Sequence, residues 1–304
     1  MRTLLICHED AALDREGLVR WLGSFSTFTG TVVIREPGGR LRKRIAREIS
    51  RVGFLRFFDV LAFRVYHRLM QAAGDRQWEA LELARLRACL PDRPDAPELV
   101  VASPNAGDAQ AFISERRPDL VIARCKTLLN QRIFSIPRLG TYVMHPGICP
   151  EYRNAHGCFW AMATGDHANV GMTMLRIDQG VDTGPVFGYF RVEADARESH
   201  VVTQHRAVLD HLDAIRDKLL EIEAGTATPV ETSGRRSATW GQPWLSAYLK
   251  MRARKAERSE LKADARPAPA FVRMPGARAT ARLSGPEFPG FADQRKPEVP
   301  AILR

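Results

Sequence analysis

The sequence predicts an α/β fold, a mostly parallel sheet covered by helices on both faces. Three observations lead there. Apolar runs of strand length alternate with stretches of helical periodicity through most of the 304 residues. The run Asp119 to Ala123 (DLVIA) is apolar on consecutive positions, as a strand buried on both faces requires. No apolar run reaches the roughly 18 to 20 residues of a membrane span, although 45% of the chain is hydrophobic.

Thr3 to Cys7 reads as the first strand. His8, Glu9 and Asp10 end its apolar run before the roughly 7 to 15 residues of a signal peptide are reached, so a cytoplasmic protein is expected. Leu13, Leu18 and Leu22 then recur at near-helical intervals up to Gly23. Thr31 to Arg35 is a second strand, closed by the turn Pro37-Gly38-Gly39. From Leu41 the apolar positions Ile45, Ile49, Val52, Leu55, Phe58, Leu61, Val65 and Leu69 step by three and four, which predicts an amphipathic basic helical insertion over 40–73, breakable at Gly53. Pro91 to Pro97 is a loop. Strands follow at Leu99 to Ala102, Asp119 to Ala123, Thr141 to Met144, Val170 to Ile177 and Pro185 to Val192, with helices around Ala109 to Arg116 and Phe159 to Thr164. Val201 to Ile222 is patterned as one helix. Beyond Gln242 a C-terminal helix, WLSAYLKMRARKAERSELKA, leads into a Pro-, Ala-, Gly- and Arg-rich tail from Arg266, which has too little periodic apolar content for a core and is expected to be disordered.

The net charge of +10 is unevenly spread. Nine Arg/Lys stand against two Asp/Glu between Arg40 and Arg68, and 15 against six from Arg235 to Arg304, so the remainder of the chain is acidic. The basic charge therefore belongs to two appended elements. The first predicts helices on the sheet with a solvated basic face, and alternatively a weak contact of 40–68 with an anionic surface. Charge alone, without an aromatic-interleaved RNA motif or a helix-turn-helix, points to no specific nucleic acid. The five cysteines, at 7, 89, 125, 149 and 158, are scattered and read as reduced thiols.

A parallel sheet binds ligands beyond the carboxyl ends of its strands, and His145 stands there. No GxGxxG follows the first strand, so a dinucleotide site loses its main support. What does stand out is HPGICPEYRNAHGCFWAMATGD, from His145 to Asp166, followed by GMTMLRIDQGVDTGPVF, in which Asp182-Thr183-Gly184 sits on a turn. Read from the residues, the spacing allows a His and an Asp to meet at one sheet edge. Cys149 and Cys158 read as buried inert thiols. His145, His156 and His167 are spaced unlike zinc ligands, so no metal is expected.

Together the two blocks resemble the formyltransferases that use 10-formyltetrahydrofolate, such as the methionyl-tRNA and glycinamide ribonucleotide enzymes. The match runs through His145, Pro146, Pro150, Tyr152, Arg153, Gly165-Asp166, Gly171, Thr173, Asp182 and Gly184. It covers about residues 95 to 195 well and implies a Rossmann-like formyltransferase fold with a catalytic domain over 1–234, beside the helical extension over 235–265 and the tail over 266–304 read from periodicity and composition. It also implies catalytic roles: His145 stabilises the developing oxyanion or moves a proton, and Asp182 orients it and takes the amine proton. By the same resemblance 10-formyltetrahydrofolate lies against Thr127, Leu128 and Leu129 and against the turn with Asp178, Gly180 and Val181. The family's Asn falls on Val143, which has no polar side-chain atom. Asn154 or His156 is the expected substitute donor, with Lys126 and Arg153 nearby.

The function implied is transfer of a formyl group to an amine of a small molecule. Transfer RNA is not the expected acceptor, because the methionyl-tRNA enzymes carry a C-terminal β-barrel and the segment after Gly234 is helical and Pro-rich. The alternatives are a formyltetrahydrofolate hydrolase and a non-enzymatic protein that binds a metabolite or partner, both because of Val143.

Overall fold

The computed structural model describes residues 1–36, 49–50, 53–195 and 197–264, and its compact unit spans Met1–Leu261. The Pro37-Gly38-Gly39 turn, the first part of the basic insertion and the expected tail from Arg266 lie outside the described residues.

The centre is a seven-stranded sheet in the order β3-β2-β1-β4-β5-β7-β8. Its strands are β1 (Arg2–His8), β2 (Thr27–Ile34), β3 (Glu98–Val101), β4 (Leu120–Arg124), β5 (Gly140–His145), β7 (Gly171–Arg176) and β8 (Val186–Arg191). The first five pair in parallel and the last two are antiparallel, so the expected mostly parallel α/β sheet is found. β1 shows why it is continuous in apolar residues. Leu4 and Ile6 face one layer, with Ala109 and Ile113 of α4 (Gly107–Arg116). Leu5 and Cys7 face the other, with Leu18, Leu22 and Phe159. Strands covered on both sides have no polar alternation to show.

Two expectations need correction. First, residues 74–89, unassigned from sequence, form most of a second insertion helix, α3 (Ala72–Cys89), after α2 (Phe54–Met70). Half of its ten apolar positions are alanine and only Leu86 is fully buried, so it carries no strong stripe. Second, the helix expected over Val201 to Ile222 is two, α7 (His200–Leu209) and α8 (Leu212–Ala224). The His211 ring lies 3.2 Å from the Ala207 carbonyl oxygen, and the His211 amide donates to Val208 instead, 3.1 Å away, so the helical ladder closes early there. Gly53, at φ 81°, stands immediately before α2 as the expected break.

α2 docks through Phe57, Val60 and Phe63. Phe63 packs against Phe159, His200 and Tyr248, the last on α9 (Leu245–Asp264). At about 2 to 3 kcal/mol for each buried aromatic, this row is enough to hold the insertion on the body.

At the carboxyl end of β4, Arg124 is held between Asp14 (Nε to Oδ1, 3.0 Å) and the Met144 carbonyl (Nη1, 2.7 Å), with both charged side chains almost fully buried. Asp14→Ala would leave a buried guanidinium without its counter-charge. The expected loss is about 3 kcal/mol in urea unfolding; a change below about 1 kcal/mol would show that water replaces the carboxylate.

Candidate active site

The site is built by strand register. Ala123 of β4 pairs with Val143 of β5, which pairs with Leu175 of β7, so three apolar side chains lie in a row across the sheet near the strand ends. They form the floor of a cavity of about 90 Å³ whose walls are two loops, Cys125 with Thr127 to Leu129 on one side and Ile177 to Gly180 with Asp182 on the other. The first loop is pinned by Asn105, whose amide donates to the Leu128 carbonyl (2.8 Å). In the second, the Asp178 carboxylate accepts from the Gly180 amide (2.9 Å) and the Thr183 hydroxyl (2.8 Å). Gln179 bridges to Gln131 at 3.2 Å.

Asp182 stands at one end of this cavity. Its Oδ2 accepts from the Asn154 backbone amide at 2.7 Å and lies 3.4 Å from His145 Nδ1. The other ring nitrogen, Nε2, lies 2.8 Å from the Tyr152 carbonyl oxygen, an acceptor only, so Nε2 carries a proton. His145 is 4% exposed and does not line the cavity; Asp182 is its link to it. Asp182, Asn154 and His156 all have left-handed backbone, at φ 52°, 80° and 54°. Asp182 and Asn154, joined by a hydrogen bond and both left-handed without being glycine, concentrate the strain that binding sites hold.

The loop after His145 closes on itself by a contact between glycines. A Cβ on Gly147 would lie 2.5 Å from the Tyr152 carbonyl oxygen, and one on Gly157 would lie 2.4 Å from Gly147 Cα. Only glycine at both positions lets the Tyr152 carbonyl reach His145. Thr173 of β7 locks the same loop, donating to the Gly147 carbonyl (2.6 Å) and accepting from the Cys149 amide (2.9 Å).

Thr127, Leu128, Leu129, Asp178 and Gly180 thus share one cavity with Asp182 and Val143. Val181 does not line it; its carbonyl accepts from Arg153 Nη1 at 3.1 Å, so Arg153 braces the turn. Asn154 gives its backbone amide to Asp182, but its side-chain amide donates to the Trp240 carbonyl. His156 is turned away as well, with Nδ1 3.4 Å from Gln204 Nε2 and its ring 5.5 Å from His200. Lys126 is exposed, and its backbone amide donates to His8 Nε2 at 3.1 Å. Burial pushes the Cys149 and Cys158 thiols up, as inert thiols require.

Sequence reasoning missed a clamp from the chain after 234. β9 (Thr239–Trp240) pairs with β6 (Arg153–Asn154), Trp240 stacks on Tyr152 and Trp160, and Arg235 pairs with Glu151 at 2.7 Å. These partners are more than 80 residues apart, and three tryptophans in 85 residues carry no local signal of meeting. Among the described residues no group of His, Cys, Asp and Glu is placed to hold a metal.

A family model described as formyl transferase matches residues 98–212, which include β3 through α7, His145 and Asp182. Through these residues the chain is similar to the formyltransferases. Its curated relatives include the methionyl-tRNA formyltransferase of Lachnospira eligens, 30% identical over 149 residues, 46% of this chain and 45% of that one. That of Pseudomonas paraeruginosa is 36% identical over 91 residues, 30% and 29% of the two chains. The chain thus spans less than half the length of these relatives. Two solved structures are similar at 13% identity. A sugar N-formyltransferase from Shewanella sp. has a TM-score of 0.48 over 79% of this chain and 76% of that one. A phosphoribosylglycinamide formyltransferase from Anaplasma phagocytophilum has 0.49 over 80% and 99%.

Away from the cavity, His156 is held neutral. Burial first, then the Lys126 cation, lowers it to about 4, and burial also lowers His200, whose Nδ1 has no hydrogen-bond partner among the described residues. Arg64 and His67 face the same cluster. An unfolded histidine titrates near 6.5, so the unfolded chain binds the extra proton between about pH 6.5 and 4. Stability is full above that window and falls as pH drops through it, by about 2 kcal/mol for His156. Urea unfolding at about pH 7 and 4.5 measures this. His156→Asn, which tolerates the left-handed backbone, flattens the dependence; an equal slope in both proteins would remove His156 as its source.

Proposed function

We propose that the protein transfers a formyl group from 10-formyltetrahydrofolate to the amine of a small-molecule acceptor in the cytoplasm. The observation that carries this is the Asp182 carboxylate at the end of a cavity lined by Thr127 to Leu129 and Asp178 to Gly180, inside the formyltransferase-family segment. An apolar floor of Ala123, Val143 and Leu175 with a rim of pinned backbone suits a flat heteroaromatic ring with polar edges. When bound, the folate supplies an activated formyl carbon. The acceptor nitrogen forms the new C–N bond there and the bond to the folate nitrogen breaks, with the proton passing from one nitrogen to the other. Oδ2 of Asp182 is engaged by Asn154 and His145, which leaves Oδ1 to take the amine proton. His145, protonated on Nε2 toward Tyr152, fixes the orientation of that carboxylate.

Val143 favours a second reading, a catalytically altered member that binds the folate without transfer or passes the formyl group to water. β5 offers no side-chain donor at the floor, and losing one oxyanion donor costs on the order of 10²–10³ in rate.

The deciding experiment is calorimetric titration with 5-formyltetrahydrofolate, a stable relative of the donor, followed by turnover of 10-formyltetrahydrofolate with a panel of amino sugars and hydroxylated amino acids. Saturable binding with amine-dependent turnover supports transfer. Binding with formate release independent of amine, or with no turnover, selects the second reading, and absence of binding by folded protein overturns both folate readings.

A further inference from the structure

α2 has two apolar faces, and among the described residues only one is packed against the body. Phe57, Val60 and Phe63 are buried against the body. On the opposite side Phe54, Phe58, Leu61, Val65 and Leu69 recur at steps of four, three, four and four, with Ala62 and Leu55 beside them. At about 100° per residue these seven fill an arc of roughly 120° containing no polar side chain. The arc is open to solvent: Leu55 is 86% exposed, Leu69 74% and Phe58 50%. A continuous apolar stripe of that size on a rigidly held helix calls for a covering surface.

Charge says which kind. Arg64 and Arg68, both exposed, lie along one edge of the arc. The acidic residue near the other edge, Asp59, is taken up by Ser246, whose amide donates to Oδ1 at 2.9 Å and whose hydroxyl donates to Oδ2. In sequence, 40–52 adds six Arg/Lys against one Glu directly before this helix. A second copy of the same face would bring Arg64 and Arg68 against their equivalents. The segment 265–304, with seven Arg/Lys against three Asp/Glu, has the same sign. Both are electrostatically mismatched covers, whereas an anionic lipid surface matches the apolar stripe and the cationic edge at once.

We propose that this face of α2 is an interfacial docking surface for anionic membrane lipid, with Phe54, Phe58, Leu61 and Val65 entering the headgroup region and Arg64 and Arg68 pairing with lipid phosphates. The helix has 17 residues and its other face is occupied, so it lies in the interface plane; no described helix is long and apolar enough to cross a membrane. The docking places the protein at a lipid surface and is independent of the chemistry at Asp182.

The test is sedimentation of the full chain with vesicles of phosphatidylcholine alone or with about a quarter phosphatidylglycerol, at about 0.15 M salt. The protein is expected to bind the anionic vesicles and to bind neutral ones far more weakly. Phe58→Ser/Val65→Ser and Arg64→Glu/Arg68→Glu should each lower the partition coefficient at least about tenfold. Leu220→Ser, an exposed apolar position on α8, should leave it unchanged. All five positions are partly or largely solvent-exposed, and an unaltered Tm shows that each variant folds. Absence of binding to anionic vesicles overturns the proposal. So does parent-like binding by Phe58→Ser/Val65→Ser, which would assign the attraction to basic charge elsewhere. A dimer in sedimentation velocity that this variant dissociates would assign the face to a second copy and overturn it too.

Discussion

In Asp182→Asn, formyl transfer to the best acceptor of the amine panel is expected to fall by about 10³-fold, while 5-formyltetrahydrofolate still binds within about tenfold of the parent affinity. The amide keeps the shape of the carboxylate, and its oxygen can still accept from the Asn154 amide now 2.7 Å from Oδ2. What it loses is the ability to take a proton and to face His145 Nδ1 as an anion. The split between turnover and binding is the diagnostic. Loss of binding in parallel with turnover would make Asp182 a structural support of the cavity, and unchanged turnover would remove it from the proton path. His145→Asn, which reaches the cavity only through Asp182, should follow the same split.

Gly147→Ala is expected to lower stability by about 3 kcal/mol in urea unfolding and to abolish the geometry around His145. The new methyl would meet the Tyr152 carbonyl oxygen at 2.5 Å, Gly157 Cα at 2.9 Å and His145 Nε2 at 2.9 Å. Two of the three obstacles are backbone, so relief requires the loop to open rather than a rotamer to move. Gly74→Ala on α3 is the control: nothing lies within 4 Å of that position, and helix propensity predicts a gain of about 0.5 to 1 kcal/mol. A Gly147→Ala protein as stable as the parent would mean that the loop has an alternative closed form.

The fold was legible where burial on both faces leaves uninterrupted apolar runs, as in Leu120 to Ala123, and where alternation of element types implies parallel pairing. α3 was not legible, because an alanine-rich helix with one fully buried residue has no stripe for periodicity to detect. The continuous helix expected over Val201 to Ile222 failed for a different reason: the apolar spacing survives the break at His211, and only hydrogen bonding distinguishes one helix from two. In the site, the motif pointed to His145 and Asp182, and register places Val143 between Ala123 and Leu175. The directions of Asn154 and His156 could not be read, because they depend on partners, Trp240 and Gln204, that are remote in sequence.

The Trp240 clamp also gives the molecule an optical reporter. Trp160 lies 4.8 Å from Trp240 and 4.4 Å from Trp244 between ring centroids, with Tyr152 a further 5.8 Å from Trp240. Indoles held this close and asymmetrically give strong near-ultraviolet circular dichroism, which disappears when fixed packing is lost. Since Tyr152 supplies the carbonyl that faces His145, that signal tracks assembly of the reaction centre rather than of the sheet, and far-ultraviolet ellipticity tracks the rest. Two wavelengths therefore separate a protein that is folded from one whose chemistry is in place, before any acceptor has been found.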